Sequence, residues 1–147
     1  LPDLSLGKFH SGGAGLVSTA SDYARFAAML VGRGTLDNQR ILSSKSVEYM
    51  TADQLAPDVD DSRLSDGDPV FIGYGFGLGV AVRRATGITP SLGSKGDFSW
   101  PGAGGTYWWG DPQEELAVVF MAHIPTRATS HFYRQFIRAL VLSAIME

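Results

Sequence analysis

Apolar side chains at Tyr23, Phe26, Ala27, Leu30 and Val31 recur at i, i+3, i+4, i+7 and i+8, which is one face of a 3.6-residue period. Thr19, with Asp22 three residues on, has the form of a capping box, in which a side-chain oxygen takes an orphan amide and an acid sits at the positive end of the helix. Gly32 and Gly34 supply the stop. These signals predict a helix from about residue 20 to residue 31. Leu36 to Leu42 then reads as a tight connection around Asp37-Asn38, two turn formers, and Ser43 or Ser44 is placed to cap a short helix through Val47 and Met50. At the other end of the chain Phe132, Phe136, Ile137, Leu140, Val141, Ala144 and Ile145 form one apolar stripe. That stripe predicts a terminal helix starting near Thr129 or Ser130, its apolar side turned to the core.

Between the helices the period falls to two. From Tyr74 to Arg83, Phe76, Leu78, Val80 and Val82 alternate with Gly75, Gly77, Gly79 and Ala81, which predicts one strand with a nearly flat second face. Gly105 to Trp109 and Leu116 to His123 read as two more strands, joined through the turn Gly110-Asp111-Pro112-Gln113-Glu114. Tyr107 and Trp109 share one face and Trp108 takes the other. The expected class is α+β, an antiparallel sheet of about three strands flanked by helices, with residues 16–52 helical and residues 73–147 holding the strands and the last helix. The Asp-rich stretch Asp53 to Pro69 has almost no period and reads as a long solvated loop.

The 147 residues carry 12 basic and 15 acidic side chains, a formal charge of −3, with no clustered basic footprint. This balance argues against a nucleic-acid partner and against a basic membrane-binding patch. No apolar run approaches the ~20 residues of a membrane span. With 44% hydrophobic residues and 18% charged ones, the chain is expected to be globular rather than disordered. It contains no cysteine, so a disulfide framework and a thiol nucleophile are excluded, and the compartment stays open with the cytoplasm as a mild default.

His10, His123 and His131 do not make a helical i, i+4 metal pair, and no metal or other cofactor is expected. Asp58-Val59-Asp60-Asp61-Ser62 has the look of a calcium loop, but its sixth position is Arg63 where such loops need Gly. No Gly-x-Gly-x-x-Gly follows a strand and opens a helix. Ser5-Leu6-Gly7-Lys8 spells Ser-x-x-Lys, the spacing that lets a lysine on the same helical turn serve a serine. Gly7 within it, and Gly12 and Gly13 soon after, speak against the helix that this chemistry needs. Phe98-Ser99-Trp100-Pro101-Gly102-Ala103-Gly104-Gly105-Thr106 reads as an aromatic-rich strand that breaks into Pro and small residues before resuming at Tyr107, and the break has two local readings. Small residues let a ligand reach backbone amides that can serve as oxyanion donors, or they form a bulge between two strands.

Three segments, in this order and spacing, resemble the C-terminal part of the serine β-lactamase-like superfamily, which includes the penicillin-binding proteins, and within it the esterases related to class C β-lactamases. Ser11-Gly12-Gly13-Ala14-Gly15-Leu16-Val17-Ser18-Thr19-Ala20 with Asp22-Tyr23-Ala24-Arg25-Phe26 is similar to the family's glycine segment and following helix. Gly73-Tyr74-Gly75-Phe76-Gly77-Leu78-Gly79 is similar to a strand of its C-terminal part. Trp100-Pro101-Gly102-Ala103-Gly104-Gly105-Thr106 resembles its third active-site box, Lys-Thr-Gly in lactamases and often Trp-x-Gly or His-x-Gly in esterases.

The resemblance implies that Trp100 lines the acyl pocket, that Gly102 and Gly104 let substrate lie against the strand, and that the Ala103 backbone N–H is one oxyanion donor. Trp100 and Pro101 stand where a lactamase has Lys and Thr, which removes a carboxylate-binding cation and a hydroxyl and favours small esters over β-lactams. The family's nucleophilic Ser, its partner Lys and its Tyr lie upstream of these segments. The chain therefore reads as a single partial domain, residues 1–147, of a serine hydrolase with an acyl-enzyme intermediate, inactive alone. A D-amino-acid peptidase or transacylase of the same fold is the second expectation, and a non-catalytic aromatic binding module the third. The expected partners are a small ester or amide substrate and the N-terminal half of the same enzyme, or a second copy met through an exposed sheet edge.

Overall fold

A computed structural model describes residues 12–13, 16–56, 59, 71–124 and 126–145. The first helix, α1 (Ala20–Val31), starts as expected: the Thr19 hydroxyl oxygen accepts the Asp22 N–H at 3.1 Å. Strands β1 (Thr35–Leu36) and β2 (Gln39–Arg40) form a two-stranded ribbon closed by Asp37 and Asn38, whose φ values of 49° and 64° suit the tight turn their side chains predicted. Ser43, of the two candidates, caps α2 (Ser44–Met50) by accepting the Ser46 N–H. The buried side of α1 is wider than its apolar stripe. Met29 is buried while Phe26 stays 41% exposed, because α1 packs both on the main sheet and beside the ribbon.

The main sheet is antiparallel, of five strands in chain order: β3 (Tyr74–Phe76), β4 (Ala81–Arg83), β5 (Phe98–Pro101), β6 (Tyr107–Asp111) and β7 (Leu116–Phe120). The α+β class stands, with more strands than the sequence pattern counted. Residues 74–83, expected to be one strand, are a hairpin: Gly77 N–H donates to Val80 O, and Gly79 has φ +85°. The two-residue alternation runs unbroken through this turn and so hides it. A Cβ at Gly77 would strike the Met50 carbonyl, and the Leu78 N–H donates to that same oxygen, so the hairpin tip docks on the end of α2. Residues 98–101 are a further strand, paired to β4 on one side and β6 on the other.

One side of the sheet is apolar. Val82, Phe98 and Trp108 pack with Ala27, Met29 and Leu30 of α1 and Val47 of α2. The other side carries charge. Asp97, just ahead of β5 and fully buried, accepts from Arg83 of β4, from Tyr74 of β3 and from Arg138 of the last helix, α3 (Arg127–Ser143). Arg138 also donates to the Tyr107 hydroxyl at 2.9 Å and to the Leu92 carbonyl at 2.6 Å, and its guanidinium lies 5.2 Å from the Trp109 ring. Gly93 fits only because it has no side chain, since a Cβ there would run into Asp97 and both guanidinium groups.

This cluster reverses the expected face of α3. Ser130, Arg134 and Arg138, at i, i+4 and i+8, are the buried stripe, while Phe132, Phe136 and Leu140 are about half exposed. The apolar stripe predicts an inward-facing apolar side; the sheet instead offers a carboxylate and carbonyls that accept from the guanidinium groups. The long loop after α2 also differs where it is described. Asp53 accepts the Leu55 and Phe76 N–H groups and Arg84 Nε at 2.6 Å, which ties α2 to the hairpin, and Gly75 makes room for its carboxylate. The calcium-like run lies outside the described residues apart from Val59.

Two stability predictions follow from these contacts. Asp97→Ala leaves two buried guanidinium groups facing each other and should cost about 3–5 kcal/mol in urea unfolding; a loss below about 1 kcal/mol would contradict the network's role. Burial raises the Asp53 carboxyl, but Arg84 and the two N–H groups outweigh it and hold it below the ordinary range. A depressed acid stabilises the fold above its unfolded value of about 3.9 and loses that contribution as pH falls through the folded value. Asp53→Asn should therefore melt below the parent at pH 6, with the gap between them closing as pH falls through the folded value. A constant gap across that range would rule out the linkage.

Candidate active site

The segment that sequence analysis singled out lies where β5 leaves the sheet. Strand β4 pairs only with Phe98 and Ser99, so from Trp100 onward the outer edge of β5 has no strand neighbour among the described residues. On the inner side the pairing continues to Trp100↔Trp108 and Pro101↔Tyr107. The connection to β6 is then closed by two hydrogen bonds. Gly102 N–H donates to Thr106 O at 2.8 Å, and Gly105 N–H donates to Gly102 O at 3.0 Å. Ala103 and Gly104 stand exposed at the tip of this turn.

The small residues here are required by contact as well as by turn geometry. A Cβ at Gly102 would collide with the Thr106 hydroxyl, and one at Gly105, which has φ +98°, would collide with Ile124. Ile124 N–H in turn donates to Gly104 O, so the chain leaving β7 braces the turn from behind. A third brace comes from α3: the Arg134 guanidinium, 5% exposed, donates to Gly102 O at 2.6 Å. No backbone acceptor among the described residues takes the Ala103 N–H.

Trp100 is 41% exposed and is held by two rings, Phe71 at 5.5 Å and Phe76 at 5.4 Å between centroids. A cavity of about 130 Å³ opens beside it, lined by Trp100, Pro101, Gly102 and Thr106 together with Tyr23, Trp108 and Met121. Burial pushes the Tyr23 hydroxyl up from its ordinary value, so it faces this cavity as a neutral ring with a donor. Trp100, Gly102, Ala103 and Gly104 thus fall together. Sequence reasoning did not find Phe71, Phe76, Tyr23 or Arg134. Tyr23 was absorbed into the helix pattern, and the other three come from distant parts of the chain that no local spacing joins to the turn. Ser5 and Lys8 lie outside the described residues.

A larger cavity, about 590 Å³, lies on the charged side of the sheet between residues 86–93 and Phe132 and Phe136 of α3. Arg83 lines it but is fully engaged, with Asp97, Thr89, Tyr74, Ser91 and Leu92 taking its donors. Its chemistry is structural, and the site is better placed at the β5 end. Among the described residues no three Asp, Glu or His side chains converge to hold a metal ion.

The family model for beta-lactamase matches residues 1–143. Protein Rv1367c of Mycobacterium tuberculosis is 41% identical over 128 residues, a stretch covering 84% of this chain and 32% of that protein. EstCE1, described as a hydrolase with promiscuous acyltransferase activity, is 27% identical with a TM-score of 0.75, covering 95% of this chain and 34% of its own. Simvastatin synthase (LovD) from Aspergillus terreus shares the fold at 18% identity and a TM-score of 0.59, over 81% of this chain and 32% of its own. The chain spans about a third of the length of the curated relatives it matches. With the family model matched over nearly the whole chain and an antiparallel sheet shared with these structures, this chain belongs to the beta-lactamase family.

Proposed function

We propose that this chain supplies the pocket wall and one oxyanion donor of a serine hydrolase that cleaves small carboxylic esters through an acyl-enzyme. The observation that carries the reading is that Ala103 stands exposed on a braced turn next to the Trp100 cavity, with no backbone acceptor for its N–H among the described residues. A backbone amide fixed before substrate arrives costs no reorganisation when negative charge develops on the carbonyl oxygen. In this reading a serine from outside this chain attacks the ester carbonyl, and the tetrahedral oxyanion rests on Ala103 N–H and on the serine's own amide. The intermediate then collapses, expelling the alcohol, which takes the proton the serine gave up. Water repeats the sequence on the acyl-enzyme and releases the acid.

Trp100 and Pro101 bring no cation or hydroxyl to bind a substrate carboxylate, and the cavity they border is walled by Tyr23, Trp108 and Met121. A short uncharged acyl group suits that lining. Acyl transfer to an alcohol is the second reading, favoured by the likeness to EstCE1, because an alcohol that reaches the acyl-enzyme replaces water without any change in the oxyanion site.

The reading also covers the partner. The outer edge of β7 pairs with nothing among the described residues, and α3 turns Phe132, Phe136 and Leu140 outward, with the Phe132 and Phe136 rings stacked at 5.7 Å. We propose that the remainder of the same enzyme covers both, and that without it the chain associates with a second copy.

Intact mass before and after a fluorophosphonate probe tests the missing nucleophile. The chain alone should keep its mass, and a stoichiometric adduct would overturn the proposal and point to Ser5. Sedimentation of the chain alone should give dimers or larger species; a monodisperse monomer would contradict the proposed partner surface.

A further inference from the structure

We infer that Arg134 is a positioning residue for the oxyanion site: its guanidinium, held on Gly102 O, aims and polarises the Ala103 N–H. This rests on the reading of Ala103 as oxyanion donor. Gly102 C=O and Ala103 N–H belong to the same peptide group, which is planar and trans, so they point in opposite directions. Fixing one fixes the other. Two donors hold that carbonyl, Gly105 N–H at 3.0 Å within the turn and Arg134 at 2.6 Å from α3. Ile124 N–H holds the Gly104 carbonyl on the far side of the exposed Ala103–Gly104 tip, and neither it nor the turn bond anchors the Gly102 carbonyl outside the turn. The bond from Arg134 ties it to a helix.

The helix is itself fixed. Arg138, one turn beyond Arg134 on the same buried stripe, is locked to Asp97 and Tyr107. Asp97 immediately precedes β5 and Gly102 immediately follows it, so successive turns of α3 grip both ends of the strand that carries Trp100. The charge matters as well as the grip. A cation on a peptide carbonyl withdraws electron density from the attached nitrogen, and hydrogen bonds chained through one peptide strengthen each other. Ala103 N–H is therefore a stronger donor toward a developing oxyanion than a peptide bonded only to water.

The test uses the intact enzyme, nucleophile included, with a short-chain p-nitrophenyl ester and the variants Arg134→Met, Arg134→Lys and Ala103→Pro. Arg134→Met should lower kcat about tenfold to a hundredfold, the worth of a hydrogen bond to a charged group, with KM changed by less than about twofold. Arg134→Lys, which keeps a cation within reach of the carbonyl, should restore most of that loss. A sample with 13C at glycine carbonyls and 15N at alanine amides reports the peptide directly, its Gly102–Ala103 cross-peak assigned by its absence in Ala103→Pro. The Gly102–Ala103 cross-peak should move in Arg134→Met and return toward its original place in Arg134→Lys.

If Ala103→Pro lowers kcat by about a hundredfold or more while Arg134→Met leaves kcat and the cross-peak unchanged, the positioning role is overturned and the oxyanion reading survives. If Ala103→Pro leaves kcat unchanged, the oxyanion reading fails and takes the positioning role with it. A loss in Arg134→Met that Lys does not restore, with the cross-peak unmoved, would mark general damage to α3 and also overturn the inference.

Discussion

Asp97 is the fixed point of the charged side of the sheet. It is fully buried, and one carboxylate there faces two guanidinium groups whose removal from water is tolerated because each of their nitrogens has a hydrogen-bond acceptor. Burial pushes the Asp97 carboxyl above its ordinary range against the pull of Arg138 and Arg83, and it drives the Tyr74 hydroxyl far up, so that tyrosine stays a neutral donor. Meeting these demands draws in three strands, the loop at Ser91 and Leu92, and α3. The lack of a side chain at Gly93 follows from the same crowding.

That constraint sets both the site and the exposed surface. A helix that must bring Arg134 and Arg138 to the sheet has to carry its phenylalanines on the opposite side, where they stay about half exposed. On the other face of the sheet, Phe98 and Trp108 pack on α1, and this brings Tyr23 to the cavity beside Trp100. The β5 turn thus sits between an apolar layer that shapes the cavity and an ionic layer that holds the backbone. A glycine-rich turn is flexible by composition; here Thr106, Ile124 and Arg134 take that freedom away.

Much of this was legible along the chain because local chemistry decides it. Thr19, Asp37-Asn38, Ser43 and the alternation in Tyr107-Trp108-Trp109 each fix structure within a few residues, and the structure follows them. The division of residues 74–83 into two strands was hidden because a tight glycine turn at residues 77–80 preserves a period of two. The orientation of α3 was hidden for a different reason. Hydrophobicity says which stripe avoids water in isolation, whereas the packing of Ser130, Arg134 and Arg138 depends on a carboxylate some forty residues away. The candidate segment from Trp100 to Gly104 stands out through family resemblance, whereas Phe71, Tyr23 and Arg134 come near it only after the chain has folded.

The most direct check on this account is a crystal structure of the intact enzyme carrying a phosphonate on its nucleophilic serine. The phosphonyl oxygen should lie about 2.7–3.1 Å from Ala103 N, with Arg134 still on Gly102 O and the alkyl group beside Trp100. An oxygen held by other donors, with the Ala103 N–H turned to solvent, would contradict it.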